Sequence, residues 1–523
     1  MHDAVPGSGR PRRAEMLAAL SVSIDLGLGQ PAEHMLRSAV IACRLAQRLE
    51  LSDEQRGIVY YSTLVMWIGC HADSQEYARW FGDDIAVREA AYLVDWSGLP
   101  YLKFLAGNVA RGESPMHRAR VMTELLRDAR GQLAELLHSH CSSAAALARE
   151  FGLPGSVQRA LAFTFERYDG GGLPQGRSGT DIPIEMRIAQ LADMSEVHHR
   201  LYGVDGAVAM ARNRRGGQFD PAIVDVFTAD AEAMLANLDD GDLWSTAIQL
   251  APDDGVPVSE AELDALVTAL GDFADLKCPF MLGHSRAVAE LAESAGGVAG
   301  LSAEQRATLR RAGHLHDIGR LGVSNQVWSK TGQLSADEWE RARMHPYFGA
   351  RVVSRIPGLA AEATLIRAHH EHLDGSGYPF GVVGAALGAP ERILAAAVAY
   401  RSAFEPRPYR EALLPSDAID RLNLRVQRGH LDASAVAAVV SAAGHQQSKV
   451  SLPAGLTARE AEILTLVARG QSNRQIAKAL TLSEKTVRNH IEHTYTKVGV
   501  NNRVGASLYA LSHGFAGPVF QHT

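Results

Sequence analysis

The run Gly313-His314-Leu315-His316-Asp317-Ile318-Gly319, then His345-Pro346, then His369-His370-Glu371-His372-Leu373-Asp374-Gly375-Ser376-Gly377-Tyr378-Pro379 holds the side chains best suited to chemistry. Imidazoles and one carboxylate at these separations are what a helical scaffold needs to hold two metal ions side by side. Asp317 is placed to bridge the ions while neutral histidines fill the remaining positions, a donor set that suits iron, manganese or zinc better than magnesium. Such a pair of ions activates water for phosphodiester hydrolysis. The elements that must position these groups are helices, because apolar residues recur at helical spacing and strand signal is scarce throughout.

The pattern resembles the HD-GYP family of metal-dependent phosphohydrolases over about residues 275–412, and the resemblance implies hydrolysis of cyclic dinucleotides such as cyclic di-GMP. It implies metal ligation by His284, His316, Asp317, His345, His369 and His370. A catalytic role is expected for His316, Asp317 and Arg320, and a substrate loop at Asp374, Gly375, Gly377, Tyr378 and Pro379. Arg392, Arg407, Pro408, Tyr409 and Arg410 match the segment that follows. One ligand is missing, because the register set by Arg392 and Arg407 puts Val398 where the family has a metal-binding Asp. Arg320 stands where many members have lysine, which keeps the charge but not the geometry. The expected content is one or two divalent ions per chain.

The front half is a second copy. His34 to Arg56 aligns without a gap on His284 to Arg306 (284 − 34 = 250), and Glu166 to Pro174 aligns on Glu371 to Pro379 (371 − 166 = 205). Through these offsets the ligand positions of the first copy read His34, Met66-Trp67, His140, Thr164-Phe165 and Asp193. Too few ligands survive for a two-metal hydrolase, and the survivors are expected to be hydrogen-bonded core residues. Cys70, His71 and Asp73 lie outside the ligand register and are expected to be structural.

From residue 456 the chain changes character and resembles the LuxR-type helix-turn-helix, carried by Leu456-Thr457-Ala458-Arg459-Glu460, Gly470-Gln471-Ser472-Asn473-Arg474-Gln475 and Leu482-Ser483-Glu484-Lys485-Thr486-Val487-Arg488-Asn489-His490-Ile491. Thr457 with Glu460 and Ser472 with Gln475 are capping boxes, and Ser483 is an N-cap. Val487, Ile491, Tyr495 and Val498 form a buried stripe, so Lys485, Thr486, Arg488, Asn489, Glu492, His493 and Lys497 are expected to meet double-stranded DNA. Eight basic residues against four acidic ones give this segment +4 (8 − 4), in a chain of net charge −7. A homodimer on a two-fold operator is expected.

With 523 residues and 46% apolar composition, the chain has material for several cores. The expected organisation is all-α: a tail at 1–18, a degenerate HD-type repeat at 19–245, an HD-GYP-type domain at 258–445, a linker at 446–454 and the DNA-binding domain at 455–523. Cys43, Cys70, Cys141 and Cys278 have no close pair, which fits free thiols in a reducing cytoplasm. No apolar run reaches membrane-spanning length, and the short stretch at 16–24 is bracketed by Glu15 and Asp25, unlike a signal peptide. The functional expectation is a cytoplasmic bacterial transcription regulator that senses a cyclic dinucleotide or related nucleotide. The alternative is an active cyclic di-GMP phosphodiesterase coupled to a DNA-binding output.

Overall fold

The computed structural model describes residues 9–510 apart from 72, 112–113, 128, 239–241, 253–254, 445–452, 469–470, 501, 504–505 and 507–508. Helices carry the fold, and among the described residues extended pairing is limited to isolated bridges such as Arg12 with Pro257. The front half runs α1 (Arg13–Leu28), α2 (His34–Arg48), α3 (Asp53–Val65), α4 (Ser74–Phe81), α5 (Asp84–Ala91), α6 (Gly98–Asn108), α7 (Pro115–Arg127), α8 (Ala129–Glu150), α9 (Gly155–Leu161), α10 (Ile184–Asn213), α11 (Pro221–Ala229), α12 (Ala231–Leu235) and α13 (Leu243–Gln249). Then follow α14 (Glu260–Asp275), α15 (His284–Val298), α16 (Ala303–Leu315), α17 (Asn325–Trp328), α18 (Ala336–Arg343), α19 (His345–Val353), α20 (Ala360–Ala368), α21 (Ala389–Phe404), α22 (Pro415–Gln427) and α23 (Ala433–Ala442). The C-terminal segment adds α24 (Ala458–Ala468), α25 (Asn473–Leu480) and α26 (Glu484–Val498).

The internal repeat is visible bond by bond. α3 and α16 are offset by 250 residues (303 − 53), and α10 and α21 by 205 (389 − 184). Ser52 with Gln55 caps α3, and Ser302 with Gln305 caps α16 in the same way. The Met35 amide donates to Asp25 at 3.1 Å, and the Ser285 amide donates to Asp275 at 3.0 Å. Buried Glu166 accepts the amides of Gln175 and Arg177 at 2.7 and 2.9 Å, while buried Glu371 accepts those of Phe380 and Val382 at 2.8 Å each. A loop held against a core must satisfy its amides, and one buried carboxylate does this twice in each copy.

α1 is apolar all round and buried along nearly its whole length, from Ala14 to Leu28. It starts at Arg13, where the Arg12 amide donates to Glu15, and its Asp25 belongs to the repeat frame. The expected tail at 1–18 is therefore corrected: the first repeat begins with this helix. In the first repeat α2 packs on α3 and α10, burying Leu36, Val40, Ile188 and Leu191, each worth about 1.5–3 kcal/mol.

The chain divides into two compact units. One comprises the chain up to Arg286 with Arg311–Arg367 and Arg407–Arg410; the other comprises Ala287–Arg310, Ala368–Pro406 and the chain from Glu411 onward. The division cuts across the repeat boundaries expected from the sequence. One reason lies inside the first unit, where buried Asp84 of α5 accepts from the Ser324 hydroxyl and the Asn325 amide, both at 2.7 Å, and faces the Lys277 ammonium at 3.4 Å. The boundary expected at 446–454 falls mostly on 445–452, outside the described residues.

Candidate metal centre and nucleic-acid interface

In the first unit Asp317 is a buried hub. Its Oδ2 lies 3.5 Å from His316 Nε2, 3.9 Å from His284 Nε2 and 3.3 Å from Arg320 Nη1, and its Oδ1 lies 3.4 Å from His345 Nε2. His284, His316 and Asp317 can bring three ligand atoms within 4.8 Å of one another. His316 Nδ1 faces the Gly313 carbonyl oxygen at 2.8 Å, and His345 Nδ1 faces that of Ala342 at 2.7 Å. A carbonyl only accepts, so each Nδ1 carries the proton and each Nε2 presents its lone pair toward Asp317. Burial would push the Asp317 carboxyl up, but His316, Arg320, His345 and His284 hold it well below the usual carboxylate range. Burial drives His316 down to about 4, so its imidazole is neutral at neutral pH. A donor set of neutral imidazoles around a shared carboxylate fits a divalent transition ion.

The approach of α19 depends on Gly319, for which residue spacing indicates no role. A Cβ there would lie 2.0 Å from the His345 carbonyl oxygen and 2.4 Å from the Gly349 amide nitrogen. The same meeting occurs in the first copy, where a Cβ on Gly69 would lie 2.4 Å from the His140 carbonyl oxygen. Arg320, expected to be catalytic, is held between the Asp317 carboxylate and the Trp328 ring, with its guanidinium carbon 3.9 Å from the ring centroid. That geometry makes it a charge partner of Asp317.

In the second unit His369 and His370 follow α20 with ring centroids 4.3 Å apart, and Tyr378 stacks on His370 at 4.7 Å. Asp374 accepts the Ser376 amide and hydroxyl, which folds the loop, and a Cβ on Gly377 would lie 2.3 Å from the His372 amide nitrogen. Val398, where the resemblance leads one to expect a carboxylate, is buried in α21. His372, Asp374 and His430 also converge, but Ser376 and Arg425 already occupy the two His372 nitrogens, which makes the trio a bonded stack.

The C-terminal helices have their own core, built on Ile463, Leu464, Ile476, Val487 and Ile491. Ser472 caps α25 with Gln475, and Ser483 caps α26, both as the sequence indicates. Lys485, Arg488, Asn489, Glu492 and His493 are exposed along α26. Thr486 instead bonds the Ser483 hydroxyl at 2.7 Å, within the cap. The Lys497 ammonium is held inside the module by Glu460 at 2.7 Å and the Gly455 carbonyl at 3.1 Å, an arrangement the spacing of basic residues does not reveal.

Family models agree with these two modules. Residues 268–435 match the HD domain, and residues 454–510 match the bacterial regulatory proteins of the luxR family. A 3'3'-cGAMP-specific phosphodiesterase 3 of Vibrio cholerae is 30% identical over 404 residues, covering 76% of this chain and 88% of that protein. The chain belongs to the HD-GYP family. A cyclic di-GMP phosphodiesterase response regulator of Xanthomonas campestris is 35% identical over 154 residues, 28% of this chain and 40% of that one. The crystal structure of a cyclic GMP-AMP-specific phosphodiesterase of Vibrio cholerae superposes with a TM-score of 0.59 at 25% identity, covering 84% of this chain and 99% of that chain.

Against the HD-GYP ligand set, the first repeat has turned its remnants into a buried hydrogen-bond network. His34 Nε2 lies 3.0 Å from Asp193 and its Nδ1 2.5 Å from Glu196, while the Trp67 indole donates to the other Asp193 oxygen at 3.2 Å. Trp67 occupies the position of Asp317, so an indole ring stands where the second repeat has its buried carboxylate. Asp73 lies 3.7 Å from the Arg88 guanidinium and 3.6 Å from His140, and the Cys70 carbonyl accepts from Arg88 at 2.6 Å, the structural roles expected for Asp73 and Cys70. All four cysteines are buried and unbridged.

Proposed function

We propose that this protein is a bacterial DNA-binding transcription regulator whose HD-GYP-type domain senses a cyclic dinucleotide. The observation that carries the reading is the pairing of a preserved Asp317 hub with a buried Val398 at the missing ligand position, in one chain with an exposed recognition helix. The ligands assigned for iron, manganese or zinc are His284, His316, Asp317 and His345 in the first unit and His369 and His370 in the second. Bound there, the ions supply Lewis-acid activation of water toward a phosphodiester. The chain's own part is to fix the imidazole tautomers through Gly313 and Ala342, and to hold Asp317 ionised beside Arg320. Lys485, Arg488, Asn489, Glu492 and His493 are the groups offered to base edges and phosphates.

The second reading is an active phosphodiesterase, favoured by the six retained ligand positions, of which His284, His316 and Asp317 lie together. Three ligands with an open position can support catalysis. The deciding experiment uses purified full-length protein, assayed for bound metal and for hydrolysis of cyclic di-GMP and 3'3'-cGAMP. The sensing reading expects about one tightly held ion per chain, slow or absent hydrolysis, and promoter binding that changes with the dinucleotide. Brisk hydrolysis with two tightly held ions would establish the second reading instead.

A further inference from the structure

The first repeat carries 45 more residues than the second between its tight turn and its second-site histidine. The offset falls from 250 to 205 across that interval, so the surplus lies between 71 and 140 (250 − 205 = 45). Described residues of this surplus, with Leu28, Trp67, Cys70 and Phe165, line a cavity of about 590 Å³, within the size range of small-molecule sites. Its wall is aromatic, with Tyr77, Trp80, Trp96 and Phe104 from the surplus facing Trp67, the residue in the Asp317 position. Tyr92 also lines it, packed edge-on to Trp67 with ring centroids 6.0 Å apart. The charged residue in the lining is Arg88, and its charge is already met: Nη1 bonds Asp84 at 3.2 Å, Nη2 lies 3.7 Å from Asp73, and the guanidinium sits 4.4 Å over the Tyr77 ring.

We propose that the first repeat is a binding site for a neutral, aromatic small molecule, seated where the other copy keeps its bridging carboxylate. An anion would find no uncompensated cation in this wall, and a strongly polar ligand would lose its hydration against indole and phenyl faces. Flat rings gain offset or edge-on contacts with such a wall. The site also has a route to the metal-bearing repeat. α5 supplies Val87, Arg88 and Ala91 to the cavity, and its first residue, Asp84, is bonded to Ser324 and Asn325, a few residues beyond Asp317 and Arg320.

The test titrates the neutral fluorophore N-phenyl-1-naphthylamine into the full-length protein, exciting tryptophan. Saturable binding of one molecule per chain is expected, with emission sensitised by Trp67, Trp80 and Trp96. Ala91→Phe and Leu137→Trp, which fill the cavity, should each weaken binding at least about tenfold without changing metal content. Should both filled variants fail to fold, Trp80→Phe and Trp96→Phe keep the wall apolar and still decide: sensitised emission falls while directly excited binding persists. Non-saturating binding, unchanged affinity in folded filled variants, or displacement by long-chain alkanols and not by ring compounds would overturn the proposal.

Discussion

At the scale of single residues, Val398 and Gly319 are the positions where one side chain decides metal content. If Val398 deprives one ion of a ligand, Val398→Asp should raise metal content from about one toward two ions per chain. With the metal stripped, the same carboxylate is buried without a partner and should cost about 1–3 kcal/mol. Melting curves with and without metal would separate the two effects, and equal destabilisation in both states would count against a metal role. Gly319→Ala should lower both stability and metal content, because its Cβ would meet backbone at 2.0 Å and must displace His345 from Asp317. An unchanged melting temperature with full metal content would refute that positioning role. The grouping of His284, His316 and His345 around Asp317 was foreshadowed in the sequence, because metal coordination, which the spacing suggested, demands particular residue types. Gly319 was not, because its importance lies in the helix packed against it, and spacing alone does not reveal that neighbour. The double engagement of Lys497 was hidden for the same reason.

At the scale of elements, α2 and α10 are joined by the His34, Asp193 and Glu196 network, and its pH behaviour follows from the shifts. Burial opposes a charge on His34, but Glu196 and Asp193 prevail and raise it from 6.5 to about 10. Its contribution is complete below pH 6.5 and is lost as pH rises toward 10. Burial would raise Glu196, yet His34 and Arg37 take it from 4.5 down to about 2, so its contribution is lost as pH falls from 4.5 toward 2. His34→Ala leaves two buried carboxylates short of a partner and should cost about 3–5 kcal/mol. Urea melts from pH 5 to 10 should show a flatter high-pH slope in the variant than in the wild type; parallel curves would disprove the assignment. In the reader, Asn489→Ala should cost about 1–3 kcal/mol at one preferred base. Lys497→Ala should instead lower the stability of the module by about 1 kcal/mol, through Glu460. Thermal melts beside DNA titrations would show which quantity moves. The helix starts of this module were legible from Ser472 and Ser483, because an N-cap signals its helix locally.

At the scale of the whole molecule, regulation needs a copy number as well as a fold. A single small reader contacts few bases, so the protein should occupy a two-fold operator as a homodimer, protecting two half-sites in footprinting; one half-site at 1:1 stoichiometry would contradict this. The all-α class and the tandem repeat were readable from periodicity and the two offsets. The compact units were not, because α1 and the Asp84 bonds pack residues far apart in the chain. The paired glutamate cradles have a final consequence. Glu166 and Glu371 hold their loops by the same two amide bonds, one in a repeat with Trp67 at the position of Asp317 and one in the repeat that carries Asp317. The loop frame is therefore built the same way with or without a full set of histidine and aspartate ligand positions beside it. Chelation should accordingly lower the metal content of the second repeat while leaving its helical circular dichroism in place, because the Glu371 frame is held by amide bonds and needs no ion.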